Sequence, residues 1–142
     1  MSEPKVVFNQ TDVPFLESPD RTMRDNVMIT EETCGSEQYT AGLFYVRPGA
    51  RGHEDKHVGQ EEVYYIFAGH GRVVIDGKLH PIKAGDVVFI PNGCLHYLIC
   101  DGPETLGLFW AIAKRWSDLP GIQRELARWR TIEVGSEWGP LP

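Results

Sequence analysis

A chain of 142 residues is long enough for one domain with a full hydrophobic core and too short for two. Hydrophobic residues make up 42% and charged residues 24%, the balance of a soluble globular protein, which excludes a disordered or fibrous chain. Lys and Arg total 14 against 20 Asp and Glu, and the net charge of −6 gives no general electrostatic drive toward nucleic acid or an anionic membrane.

Residues 1–25 mix a short apolar piece, Val6-Val7-Phe8, with Pro4, Pro14 and Pro19. They read as an arm carrying one short strand, of the kind that dresses a barrel or a dimer edge. The start of the chain lacks a basic segment followed by an apolar core, and no run of about eighteen apolar residues occurs, so the expected compartment is the cytoplasm. From Asn26 to Ala113 the chain becomes a series of short β-rich runs: Val27–Thr30, Tyr39–Val46, Glu62–Phe67, Arg72–Ile75, Val87–Ile90, His96–Ile99 and Thr105–Ile112. The breaks between them hold many of the fifteen Gly and ten Pro, as in Arg47-Pro48-Gly49, Gly69-His70-Gly71, Ala84-Gly85-Asp86 and Pro91-Asn92-Gly93. Asp76-Gly77 predicts a tight hairpin, because both residues tolerate positive φ. In Leu106–Ile112 both faces are apolar, as in an inner strand or one covered by a dimer partner. Residues 114–142 predict a helix and a tail: Ser117 or Asp118 caps, Pro120 sits in the first turn, and the helix runs through Trp129. No internal repeat is visible, and eight or more short strands in one small domain point to an all-β jelly roll or closed barrel.

Chemistry concentrates in the middle of the chain. His53 and His57 lie within five residues of each other and precede Glu62, which is metal-ligand chemistry in residue type and spacing. On an extended segment residues 53, 55 and 57 project to one face, so His53, Asp55 and His57 share an aspect. Glu62 then opens a strand whose face continues with Tyr64 and Ile66, and His96 lies on one side of a strand with Cys94, Leu98 and Cys100. The three cysteines, Cys34, Cys94 and Cys100, form no CxxC pair and cannot all pair within the chain, so no disulfide framework is expected.

These residues resemble the two motifs of a small single-domain cupin. The first motif of that family reads Gly, five residues, His-x-His, three or four residues, Glu, six residues, Gly; here it stands as Gly49, Asp55-Lys56-His57, Glu62 and Gly69. The second, Gly, five residues, Pro-x-Gly, two residues, His, three residues, Asn, stands as Gly85, Pro91-Asn92-Gly93, His96 and Cys100. The resemblance implies an all-β cupin jelly-roll barrel over 26–113, with the N-terminal arm and the short C-terminal helix outside it. It also implies one divalent metal ion per chain, held by His57, Glu62 and His96, with Asp55 standing where the family has its first histidine and Cys100 where it has Asn. Asp55 is then a fourth ligand or a solvated carboxylate between Glu54 and Lys56. His53 is a ligand only in the manner of sugar-phosphate isomerases of the superfamily, which place a Gly-His pair like Gly52-His53 at this distance before the glutamate; otherwise it is a neighbouring or surface histidine. A carboxylate in place of an imidazole hardens the site and favours Fe(II) or Mn(II) over Cu(II), with Ni(II) and Zn(II) still in play.

Tyr64 shares the face of Glu62 and either packs or serves as a general acid or base, as the corresponding tyrosine does in the cupin dimethylsulfoniopropionate lyases that this pattern also resembles. Glu62 is the second candidate catalytic group. Arg51 is the candidate for a substrate carboxylate or phosphate, Cys94 for the cavity lining, and Trp110 for a pocket wall or the core. His70 and His80 read as turn and surface residues. The resemblance implies a metal-dependent isomerase or lyase acting on a small oxygenated metabolite chelated through carbonyl, hydroxyl or carboxylate oxygens. Two other readings are an Fe(II)-dependent dioxygenase and a non-catalytic cupin that binds a sugar or small acid. Small cupins commonly pair through sheet edges, so a homodimer is expected, with a small molecule as the other partner and neither nucleic acid nor membrane.

Overall fold

The short runs separated by glycine and proline become antiparallel strands in the computed structural model, which describes residues 5–56, 59–133 and Trp138. In chain order the elements are β1 (Phe15–Glu17), β2 (Met23–Ile29), α1 (Glu31–Cys34), β3 (Thr40–Val46), β4 (Glu62–Ala68), β5 (His70–Ile75), β6 (Lys78–Lys83), β7 (Val87–Ile90), β8 (His96–Cys100), β9 (Leu106–Ile112), α2 (Pro120–Leu126) and β10 (Arg130–Ile132). Seven strands form one sheet in the order β10-β1-β2-β3-β9-β4-β7, and three form a second in the order β6-β5-β8. The stretch 49–55 runs along the free edge of β8: Gly49 N donates to Cys100 O at 2.9 Å, Gly52 N to Leu98 O at 2.7 Å, and Asp55 N to His96 O at 2.9 Å. The two sheets face each other as a jelly roll, and their inner faces make one apolar core that includes Val46, Ile66, Val73, Leu98, Leu106 and Leu108. Among the described residues no helix is long and apolar enough to cross a membrane.

Strand alternation decides what looks inward. On β4, Glu62, Tyr64 and Ile66 are buried while Val63 and Tyr65 point out. On β9, Leu106, Leu108, Trp110 and Ile112 are buried, but Phe109 on the outer face is 40% exposed, beside Tyr65. Of the two β9 faces expected to be covered, the inner one is covered throughout and the outer one leaves this phenylalanine open.

Several local expectations shift. Asp76 and Gly77 have φ of 48° and 81° and join β5 to β6 as expected, but β6 itself was not among the predicted strands. Its composition, Lys-Leu-His-Pro-Ile-Lys, reads as loop; Pro81 is tolerated because β6 is the edge strand of its sheet. Within Gly69-His70-Gly71 only Gly69, at φ 77°, breaks the chain, and His70 already begins β5. Thr30 is not the end of a strand but the N-cap of α1, its side chain accepting from Thr33 N at 3.1 Å. The C-terminal helix starts later and ends earlier than expected. Trp116–Asp118 form a 3-10 turn, the N-cap of α2 is Leu119 with no side-chain cap, and the helix stops at Leu126.

The boundary drawn at Asn26 falls inside β2, and both terminal segments join the large sheet: β1 pairs with β2 on one side and with β10 on the other. These segments are also fastened by charge. Glu17 is fully buried and accepts from Arg130 Nε at 2.8 Å and Trp138 Nε1 at 2.8 Å. The guanidinium of Arg24, also buried, lies 3.8 Å from the centre of the Tyr45 ring and 4.5 Å from that of Phe15.

Candidate functional site

Between the sheets, on the side covered by α2, lies a cavity of about 60 Å³. On the scale of roughly 10–15 Å³ for each water-sized occupant, it takes a few waters or a ligand of a few heavy atoms. Its walls are largely apolar, from Phe44, Leu98, Leu108, Trp110, Ile112 and, on α2, Ile122 and Leu126. Its polar lining comes from Asp25, His53, Asp55, Glu62, Tyr64, His96 and Glu125, with Tyr97 at the margin. Among the described residues no Lys or Arg lines it.

Backbone register explains this convergence. Asp55 and His96 exchange both backbone N–H···O bonds, at 2.9 and 2.8 Å, so their side chains leave the small sheet on the same face. Glu62 sits opposite Ile112 on β9 and Ile90 on β7, which places its carboxylate on the inner face of the large sheet. Across the gap His96 Nε2 comes 3.3 Å from Glu62 Oε1, with both side chains almost wholly buried. The other ring nitrogen of His96, Nδ1, is 3.0 Å from the Cys94 carbonyl oxygen and donates to it, which turns Nε2 toward the carboxylate. In the neutral imidazole both facing atoms are acceptors, so a proton or a metal cation belongs between them. Burial works against the charged imidazole, but the Glu62 hydrogen bond and the Cys94 carbonyl outweigh it and raise the pKa of His96.

His53 stands beside this pair. Its Nε2 is 2.8 Å from Asp55 Oδ2, and its ring packs edge-to-face against Phe44 and Trp129. Burial lowers the pKa of His53, yet the Asp55 hydrogen bond and charge, followed by Asp25 and Glu125, reverse this and raise it. Tyr64 lies opposite Trp110 and is buried. Burial first, then the Glu62 carboxylate beside it, hold its phenol well above the ordinary tyrosine range, so at neutral pH the side chain carries its proton and acts as a hydrogen-bond donor.

The structure thus brings His53, Asp55, Glu62, Tyr64, His96 and Trp110 to one cavity. His57 lies outside the described residues. Among the described residues no three His, Cys, Asp or Glu side chains converge closely enough to hold a metal ion, because Asp55 is turned to His53 rather than to the Glu62–His96 pair. Two candidates stand elsewhere. Arg51 is exposed, pairs with Glu54 and lies 3.7 Å over the Tyr97 ring, and it is not among the lining residues. Cys94 has its thiol beside Asp76; its contribution to the site is the backbone carbonyl that orients His96.

Two lining carboxylates were not anticipated from sequence, Asp25 and Glu125. Asp25 lies on β2, whose start was expected at Val27; the alternation Met23, Asp25, Val27 was the available signal. Glu125 depends on how α2 is rotated against the barrel, which no local pattern sets. Burial pushes the Asp25 carboxyl up to about 7, with the Trp110 hydrogen bond and His53 opposing the rise and the Asp55 and Glu62 charges adding to it.

Comparison with known proteins supports the family and the fold. The Cupin_2 family model, described as "Cupin domain", matches residues 42–112. An oxalate-binding protein of Thermotoga maritima is 47% identical over 79 residues, 56% of this chain and 65% of that protein. Protein SchB of Streptomyces halstedii is 35% identical over 69 residues, 49% of this chain and 50% of that protein. The chain therefore spans between half and just under two thirds of these two relatives. Among solved structures, a predicted oxalate decarboxylase from Thermotoga maritima superposes with a TM-score of 0.67 at 26% identity, covering 77% of this chain and 99% of that one.

Proposed function

Because this chain belongs to the cupin family, we propose that it holds one divalent cation at the Glu62–His96 side of its cavity and acts there on a small, oxygen-rich acid or carbonyl compound by Lewis-acid and proton-transfer chemistry, as an isomerase or lyase. The observation that carries this reading is the lining itself: an imidazole nitrogen and a carboxylate oxygen face each other at 3.3 Å in a cavity rich in carboxylates and without Lys or Arg. Among the described lining residues a ligand anion meets no Lys or Arg, whereas an ion held by nitrogen and oxygen donors would add a positive charge there.

Imidazole and carboxylate donors of this kind suit Fe(II) or Mn(II). Glu62 and His96 would supply two adjacent donors and Asp55 a third once turned from His53, and the sequence motif offers His57, outside the described residues, as a fourth. When bound, the ion polarises the ligand oxygens and lowers the barrier to losing a proton next to them. The chain does the rest. The Cys94 carbonyl fixes the orientation of His96, Tyr64 presents a phenol O–H beside Glu62, and Leu108, Trp110, Ile112 and Ile122 exclude water from the ligand.

A second reading, binding without turnover, is favoured by the 47% identity to a relative named as an oxalate-binding protein. Metal analysis and calorimetry test what the two readings share. Protein purified without added metal should carry iron or manganese that His96→Ala and Glu62→Gln lose, and oxalate should give binding heat only before treatment with chelator. Oxalate binding of equal strength after chelation overturns the metal-dependent site. Incubating the loaded protein with small 2-oxo and 2-hydroxy acids in deuterated water then separates the readings: deuterium entering at carbon supports the enzyme, and binding without exchange supports the binding protein.

A further inference from the structure

Asp25 belongs to neither sequence motif, yet the fold takes pains to place it. Its side chain is 6% exposed and lines the cavity from β2. Trp110 Nε1 donates to Oδ1 at 3.2 Å, and among the described residues this is the one hydrogen bond its side chain makes. No hydrogen bond reaches the second oxygen, Oδ2, among the described residues, and the residue itself lines the cavity. The charges that act on the carboxyl come from His53 and Asp55 in 49–55 and Glu62 on β4, and among the described residues no Lys or Arg lines the cavity with it.

The tryptophan bond depends on a dedicated gap. A Cβ at Gly42 would stand 3.1 Å from Trp110 Cζ2 and 2.1 Å from the Asn26 carbonyl oxygen, so only glycine lets the indole lie across β3 and reach Asp25. A buried carboxyl without a cation is costly unless it keeps a proton or gains a partner. One oxygen here is satisfied by the Trp110 indole, and the other is left without a hydrogen bond among the described residues in a side chain that lines the cavity.

We propose that Asp25 is a ligand-contacting residue, its carboxyl O–H donating from Oδ2 to an oxygen of the bound molecule while other oxygens of that molecule face Glu62 and His96. The ligand class this selects is a small acid with two oxygen functions, such as a dicarboxylate or a 2-oxo or 2-hydroxy acid, rather than a compound with one. This rests on the metal-dependent reading above. The test is calorimetry of Mn(II) and then of oxalate with wild type, Asp25→Asn and Asp25→Leu. The asparagine keeps a donor and the leucine keeps only the volume. All three should bind Mn(II) alike, Asp25→Asn should hold oxalate within about threefold of wild type, and Asp25→Leu should lose roughly tenfold or more, the worth of one buried hydrogen bond. Equal oxalate affinity in Asp25→Leu overturns the contact and leaves the metal site standing; loss in both variants overturns the donor role. A wild type that binds neither Mn(II) nor oxalate overturns the metal-dependent reading and this inference with it. Should Asp25→Leu fail to fold, Asp25→Ala takes its place with the same expected loss.

Discussion

Replacing Asp25 by Asn changes stability in a way that pH exposes. In the native protein, burial holds the carboxyl up to about 7, whereas an aspartate in the unfolded chain titrates near about 3.9. Between those values the folded protein keeps a proton that the unfolded chain has released, so folding binds protons and stability falls as pH rises. The stabilising share of Asp25 is fully present below about pH 4, declines through the window and is gone above about pH 7. Roughly three pH units at about 1.4 kcal/mol each make this share about 4 kcal/mol. Asparagine has nearly the same shape, still accepts from Trp110 Nε1 through Oδ1, and has no proton to lose. Urea unfolding of both proteins with chelator present, at several pH values from about 4.5 to 8.5, measures the difference directly. The other side chains that line the cavity are the same in both proteins, so the difference reads Asp25. Asp25→Asn should gain on wild type steadily with rising pH and level off by about pH 8. A stability difference that stays constant across the range refutes the argument.

Two further substitutions test the packing. Gly42→Ala puts a methyl group into the Asn26 carbonyl, and neither backbone can retreat without breaking the β2–β3 pairing. The cost should be about 3 kcal/mol or more, beyond the roughly 1 kcal/mol expected for Gly77→Ala in an open turn, and calorimetric melting of the two variants side by side checks it. Arg130→Ala removes one of the cations serving the fully buried Glu17 carboxylate. A loss of about 2–3 kcal/mol is expected by urea unfolding, and an unchanged midpoint would show that the remaining donors, among them Trp138 Nε1, suffice.

Much of the barrel was readable because strand alternation is a short-range property. Glu62, Tyr64 and Ile66 on one face, and His96, Leu98 and Cys100 on another, follow from a period of two, and the Asp76-Gly77 reversal from the backbone freedom of two residues. What escaped depends on partners distant in sequence. The β6 edge strand looks like a loop until β5 pairs with it, and β1 and β10 are three residues each and exist as a pair across the chain. In the site, Asp25 was missed with the first half of β2, and Glu125 with the rotation of α2. Arg51 was judged from its position beside the motif, but Glu54 and the Tyr97 ring hold it outside the barrel.

The pairing of β1 with β10 also has a consequence for the order of assembly. Glu17 and Arg130 meet at a sequence separation of 113 residues, so this contact closes a loop that takes in most of the protein and carries a large entropic cost. Helix α2, which walls one side of the cavity, precedes that strand immediately and packs Leu126 into the core beside it. A chain still being synthesised can form the strands that carry Glu62 and His96, but its cavity stays open to water until residues beyond 126 emerge. Because β10 itself is exposed or only half-buried, native-state hydrogen exchange at Arg130–Ile132 is a reporter of how often this segment opens.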